Sequence, residues 1–250
     1  MSEREDGIAR MRAVTISREY GSGGGEIAAR LARRLGWQLI DHQVVHEVAQ
    51  RLNVTDEEAE QHDERPETFI DRLLKSMQSV DPALIEPPQN MPALGWREFA
   101  AALRDVVEAA VQTGQVVIVG RGAQMILRDR RDALHVRIVA PMQQRIAYVA
   151  SREQLQPAAA KQRIQQKDRA RQQYIDTVFQ VHVEDAHLYD LVLNTGVLRL
   201  DDCVDLIRDA LAAKASRLDV PEEALGPAHE VRRYPEAPGD LPMPEAPASQ

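Results

Sequence analysis

Residues 13–36, AVTISREYGSGGGEIAARLARRLG, pass from a short β-branched strand through a glycine cluster directly into an amphipathic helical pattern. That order of elements builds a phosphate site. Gly21, Gly23, Gly24 and Gly25 lack Cβ, so the backbone is free to take positive φ and bring its N–H groups close to an anion. The helix that starts beneath adds unpaired first-turn N–H groups and the positive end of its dipole. Set against the phosphate-loop pattern G-x-x-x-x-G-K-[ST] with Gly24 as its last glycine, the chain has Gly25 where lysine should reach the β- and γ-phosphates. Glu26 then stands where a hydroxyl should meet magnesium. The competing reading is a strand-to-helix turn with no ligand.

A chain of 250 residues, 44% of them hydrophobic, fits one α/β domain with an insert, or one domain plus a tail. Its 31 basic residues are outnumbered by 39 acidic ones, and the net charge of −8 argues against a nucleic-acid surface. Cys203 is the sole cysteine, which excludes an intramolecular disulfide and a cysteine-based metal site and matches a reducing cytoplasm. Its apolar helical surroundings predict a buried, inert thiol. The N-terminal MSEREDGIARMR is charged without an apolar core, and no window approaches the roughly 20 apolar residues that span a bilayer. The expectation is a cytoplasmic protein with neither nucleic acid nor membrane as partner; nothing in the sequence sets its oligomeric state.

Strand-like runs recur at 13–16, 37–40, 116–119, 135–139 and 191–193, separated by helical spacing, and this alternation predicts a parallel sheet wrapped by helices. Residues 1–12 form an N-terminal extension. Between about 53 and 96, acidic helical material followed by Pro82, Pro87, Pro88 and Pro92 predicts an inserted helical lobe and loop. Residues 96–112 read as a helix with Phe99, Leu103, Val106, Val107 and Ala110 on one face. It feeds a strand that ends in Gly120–Arg121–Gly122, at the sheet edge where open α/β sheets bind ligands. Residues of about 150–183 form charged helices with a break near Pro157, the most basic region of an acidic protein. They read either as a solvated helix face or as a lid over phosphates. From 216 to 250 the composition turns to Pro, Glu and Ala, and this tail is expected to be disordered.

Taken in order, ISREYGSGGGEIAARLARRLG, LIDHQVVHEVA, VVIVGRGAQMIL, KDRARQQYI and YDLVLNTGVLRLDDCVDLI resemble the cytidylate kinase-like family of P-loop nucleoside-monophosphate kinases. The likeness runs from about residue 13 to 211. It implies a three-layer α/β fold for residues 13–215, with a parallel sheet core, a helical nucleotide-monophosphate-binding insert and a helical lid. It also implies ATP and Mg2+ as cofactors and a nucleoside monophosphate, CMP or dCMP, as acceptor. By that resemblance Gly21, Ser22, Gly23, Gly24, Gly25 and Glu26 would hold the phosphates of ATP, and Asp41 would begin the acceptor contacts. Arg121 would be the arginine of the Gly-Arg-Asp turn. Arg163, Lys167, Arg169 and Arg171 would be lid cations, with Asp168 orienting an arginine. Several guanidinium groups converging on two anionic nucleotides suit phosphoryl transfer.

The departures bear on catalysis. Besides Gly25, Gly122 stands where these kinases carry an acid, and no Asp closes the strand 116–119 to support magnesium. Arg18 is placed to replace the missing charge and Glu26 to hold a metal through water, while the alternative for Arg18 is a surface ion pair with Glu19. On a continuous lid helix Arg163, Lys167 and Arg171 share a face and Arg169 points elsewhere; a bent helix would free Arg169. His42 and His46 at i,i+4 lack a third ligand for zinc. His182 and His187 receive no role, and Ser17 or Ser22 with Asp185 and His187 make no hydrolase triad without a G-x-S-x-G elbow. The rival functions are a nucleotide-binding or regulatory protein that has lost turnover, and a kinase of another small metabolite.

Overall fold

The computed structural model describes residues 7–40 and 93–226. Asp41, His42, His46, the expected insert of about 53–96 up to residue 92, and the tail beyond Gly226 lie outside the described residues. The chain divides into two compact units at Ser216/Arg217. The second unit shows, among its described residues, one 3-10 turn, Glu222–Ala224.

The first unit is α/β. Its strands are β1 (Ala13–Arg18), β2 (Gln38–Ile40), β3 (Val116–Val119), β4 (Ala133–Val139) and β5 (Leu191–Asn194), in the order β2-β3-β1-β4-β5 with every neighbouring pair parallel. These strands occupy the runs predicted from β-branched content. The structure adds Ser17 and Arg18 to β1 and starts β4 two residues earlier, at Ala133. Helices α1 (Gly24–Leu35), α2 (Ala93–Thr113) and the single turn α3 (Ala123–Ile126) follow β1, precede β3 and follow β3. Next come α4 (Met142–Glu153), α5 (Pro157–Phe179) and α6 (Leu200–Ala215). No helix among the described residues is long and apolar enough to cross a membrane.

Period-2 alternation divides the sheet between two helical layers. Ala13, Val116 and Ile118 share one core with Leu103, Val107 and Val111 of α2 and with Ala123 and Ile126 of α3. On α1, Ile27, Ala28, Leu31 and Ala32 are buried, and α1 packs against β1, β3 and α6. Cys203 is buried in α6, as an inert thiol should be. Helices α4 and α5 pack on each other around Val149, Ala160 and Ile164, with Tyr20 and Leu155 closing the cluster. Gln154 with φ 54° ends α4, and Pro157 opens α5 at a first-turn position where its missing N–H costs nothing. The break predicted at Pro157 is therefore a helix boundary, and α5 continues unbroken beyond it.

One column of the sheet interior is polar. Thr15 pairs in register with His135, and Ser17 with Arg137; all four are buried. His135 Nδ1 lies 2.9 Å from Thr15 Oγ1, and its backbone N–H donates to Asp190, which also takes Lys214 at 2.6 Å. Burial, and then the Lys214 cation, push the imidazole down to about 4, against the pull of Asp190. Because the folded state refuses a proton that the unfolded chain accepts at about 6.5, this stability is present above that pH and is lost as pH falls toward 4. Urea denaturation should find the wild type losing roughly 2 kcal/mol more than His135→Asn between pH 7 and pH 5; equal losses would show that the imidazole is protonated in the fold.

Candidate functional site

The glycine loop between β1 and α1 is tied down from every side. Ser22 turns its hydroxyl inward, donating to the Glu19 carbonyl at 2.9 Å, with the Ile138 carbonyl at 3.3 Å. Thr195 Oγ1 donates to the Ser22 carbonyl, and the Ala140 N–H donates to the Glu19 carboxylate. Ser22 is thus bound to the fold through its hydroxyl, its carbonyl and its N–H, which donates to the Glu19 carbonyl at 3.3 Å.

Left-handed φ occurs at Gly21 (83°) and Gly23 (79°), not at Gly24 or Gly25, which begin α1. The four glycines therefore have different reasons. A Cβ on Gly21 would meet Val149 at 2.8 Å, and one on Gly23 would meet Leu200 at 2.8 Å. Gly24 needs no special φ, but a Cβ there would lie 2.7 Å from Arg18 Cβ. Gly25 is required by neither constraint, since the space beside it is open. No side chain caps the first turn of α1, so its N–H groups remain available to an anion. The Glu26 carboxylate takes Arg30 and, at 3.2 Å, the Tyr148 hydroxyl.

Beside the loop lies a cavity of about 270 Å³, at the carboxyl ends of β1, β3 and β4 and under the inner face of α5. Six arginines line it, Arg18, Arg121, Arg137, Arg145, Arg169 and Arg171, against the carboxylates Glu19, Asp168 and Glu184. Arg18 ends β1, and its guanidinium passes so close to Gly120 that a Cβ there would require it to shift. Residues 120–122 are all left-handed, with φ of 75°, 62° and 67°. Arg121 is the non-glycine of the three, in a conformation that costs an L-residue about 1 kcal/mol or more. The Tyr174 hydroxyl donates to the Arg121 carbonyl at 3.3 Å, and burial pushes that phenol up to about 12, although Arg121 opposes the shift.

Asp168 joins α5 to the loop. Its Oδ1 accepts the Tyr20 N–H at 2.7 Å, and its Oδ2 takes the buried Arg145 at 2.5 Å. Arg171 lies 3.4 Å from Asp168 Oδ1 and 5.3 Å from the centre of the Tyr20 ring. Of the predicted lid cations, Arg169 and Arg171 line the cavity. Arg163 instead pairs with Glu153 at 2.7 Å, and Lys167 is not among the lining residues. Arg171 lies on the face of α5 that Ala160, Ile164 and Ile175 bury, in keeping with the helical-wheel expectation, whereas Arg169 is exposed and lies well off that face, yet it also borders the cavity. Arg137 and Gln124, both buried in the cavity wall, were missed from sequence. The signal for Arg137 was present, as a charged residue inside the apolar strand run HVRIV.

A model of the cytidylate kinase-like family matches residues 13–197. Cytidylate kinase of Archaeoglobus fulgidus is 24% identical over 208 residues, 82% of this chain and 98% of that protein. Cytidylate kinase of Methanopyrus kandleri is 27% identical over 118 residues, 44% of this chain and 61% of that protein. A 31% identity to uronate isomerase of Corynebacterium glutamicum extends over 111 residues and spans only 21% of that protein. Among solved structures, an uncharacterized protein from Eubacterium ventriosum superimposes with a TM-score of 0.59 at 22% identity, over 81% of this chain and 99% of that one; that likeness concerns the fold.

The glycines supply a test of the loop's construction. Gly23→Ala should destabilise the protein by roughly 1–3 kcal/mol, through its left-handed φ and the Leu200 contact. Gly25→Ala should be neutral or stabilising by up to about 1 kcal/mol, because it adds a helix former in open space. Chemical denaturation of the two variants checks the pair.

Proposed function

The chain belongs to the cytidylate kinase-like family, and from that premise we propose that it transfers the γ-phosphoryl group of ATP to a nucleoside monophosphate, CMP or dCMP, in the cytoplasm. The observation that supports this reading best is the arginine-walled cavity set against a glycine loop that opens a helix. Both relatives covered above that bear a kinase name are called cytidylate kinase, which favours the cytosine nucleotide.

ATP phosphates fit the loop: Gly21 and Gly23 adopt the left-handed backbone, and the uncapped first turn of α1 offers N–H donors. Mg2+, which in such kinases neutralises charge on the transferring phosphates, finds no group of three metal-ligating side chains among the described residues. Glu26 pairs with Arg30 and the Tyr148 hydroxyl. The chain's own part is positioning and charge compensation. An acceptor phosphate oxygen attacks the γ-phosphorus in line as the bond to the β-bridging oxygen breaks, and the ADP oxygen takes the electron pair. Guanidinium groups fixed beforehand on β1, on the 120–122 turn and on α5 stabilise the charge that spreads over the equatorial oxygens. In this scheme Arg18, Arg121 and Arg171 are the catalytic cations and Arg169 a rim contact. Asp168 acts by holding Arg145 and Arg171 in place.

The open space at Gly25 favours a second reading, a nucleotide-binding protein with little turnover. Incubating the protein with ATP, Mg2+ and each nucleoside monophosphate in turn, while following ADP release, decides between them: acceptor-dependent ADP with CMP or dCMP supports the kinase, and ATP binding without it supports the second reading.

Two variant series probe the site. Arg121→Lys should raise the acceptor KM by about tenfold or more, since lysine lacks the planar fork; an unchanged KM would leave Arg121 a structural residue. Arg171→Ala and Arg169→Ala should lower kcat/KM more than Lys167→Ala, in line with which of them border the cavity. Steady-state kinetics that put the dominant loss at Lys167 would contradict a role for the two arginines that border the cavity.

A further inference from the structure

Arg137 and Arg145 both lie buried, each 6% exposed, yet their charges are met differently. Arg145 faces Asp168 at 2.5 Å and Glu19 at 3.6 Å, so the protein itself supplies the counter-charge. Among the described residues, Arg137 has no carboxylate within ion-pair distance. Its Nη1 donates to Ser17 Oγ at 3.2 Å, and its guanidinium carbon stands 5.7 Å from the centre of the Tyr189 ring. The Tyr189 hydroxyl lies 3.2 Å from the same Ser17 oxygen and donates to the Val183 carbonyl at 2.7 Å. One hydroxyl and one ring face hold the guanidinium in place, but they match few of its five N–H donors and none of its charge. A cation taken out of water in this way is a burden on the fold unless an anion joins it.

Its position is fixed by the sheet. Arg137 stands opposite Ser17 in the β1–β4 register and forms part of the cavity wall, while Arg169 and Arg171 line the same cavity from α5. Interior strands of a parallel sheet are ordinarily apolar throughout, and position 137 breaks that rule between the buried Val136 and Ile138 with no compensating carboxylate.

We propose that Arg137 is a phosphate-binding residue of this cavity, meeting the acceptor's phosphate from the sheet while Arg169 and Arg171 meet it from α5. The charged fork suits a phosphate's paired oxygens better than a lone point charge would. The inference rests on the kinase reading only for what molecule carries the phosphate; the anion site itself follows from Arg137 and its surroundings.

The test uses pyrophosphate as a probe, with CMP in parallel. Calorimetric titration of the full chain should show Arg137→Gln binding pyrophosphate at least about tenfold more weakly than wild type, with Arg137→Lys in between. Without any anion, Arg137→Gln should melt at or above the wild-type temperature, because an uncompensated buried charge is gone. Arg145→Gln, which strands Asp168, should melt well below it. Unchanged pyrophosphate binding in Arg137→Gln, or a melting temperature lowered as far as that of Arg145→Gln, would overturn the proposal and make Arg137 structural. If Arg137→Gln loses the bound anion while the wild type phosphorylates no nucleoside monophosphate, the anion site stands and the kinase reading falls. If the wild type is a kinase and Arg137→Gln keeps its acceptor KM, the reverse holds.

Discussion

A single carboxylate, Asp168, fixes the relation of α5 to the glycine loop. It accepts the Tyr20 N–H from the loop, takes the buried Arg145 of α4 and stands beside Arg171 on its own helix. Arg145 in turn donates to the Tyr20 carbonyl, so both polar groups of that one peptide residue are bound by the same ion pair. Removing one partner of such a buried pair leaves an uncompensated charge, which costs far more than the intact pair contributes. The consequence is geometric. As long as this pair holds, α5 cannot rotate or withdraw without dragging the loop, and the cavity between them keeps its shape. The small apolar cluster of Val149, Ala160 and Ile164 would not by itself fix the rotation of so polar a helix.

The same half of the molecule treats burial of charge in two ways. Arg145 is neutralised in place and stiffens the fold. Arg137 is held by Ser17 and Tyr189 without neutralisation, and His135, one register step below it, is kept neutral by the same sheet interior. A protein that minimised its own free energy would fill these positions with valine or isoleucine, as it does at 136 and 138. On the proposed reading, the polar column exchanges some stability of the empty fold for affinity toward an anion, a common pattern at functional sites.

Much of this was legible in the sequence because it depends on local period and composition. β-branched runs marked all five strands within two residues, the glycine cluster marked the strand-to-helix turn, and Pro157 marked a helix boundary. Side-chain commitments were less legible. Spacing fixes the angle between Lys167 and Arg169 on a helix, but not which long side chain reaches the cavity: Arg169, exposed and off the face buried by Ile164 and Ile175, borders it, and Lys167 does not. Glu26 and Ser22 looked available because their partners, Tyr148, Arg30 and the Ile138 carbonyl, come from other turns and elements. The glycines looked equivalent, whereas hydrogen bonding starts the helix at Gly24 and leaves left-handed φ to Gly21 and Gly23.

The absence of a lysine at position 25 is easier to understand once the charge is located. A phosphate-loop lysine places one point charge on a flexible stem at the start of the helix. Here the cationic groups stand on the sheet edge, on the 120–122 turn and on α5, as planar guanidiniums whose directions the backbone sets. Arg121 illustrates the cost. Flanked by two left-handed glycines, it takes up a left-handed conformation itself, although a third glycine would relieve the strain. At Gly122 the Phe179 ring lies where a Cβ would be, and at Gly120 a Cβ would displace the Arg18 guanidinium. The two glycines thus give up their side chains so that Phe179 can seat the turn and Arg18 can reach across it, and the strain is concentrated on the one residue whose charge points to the cavity.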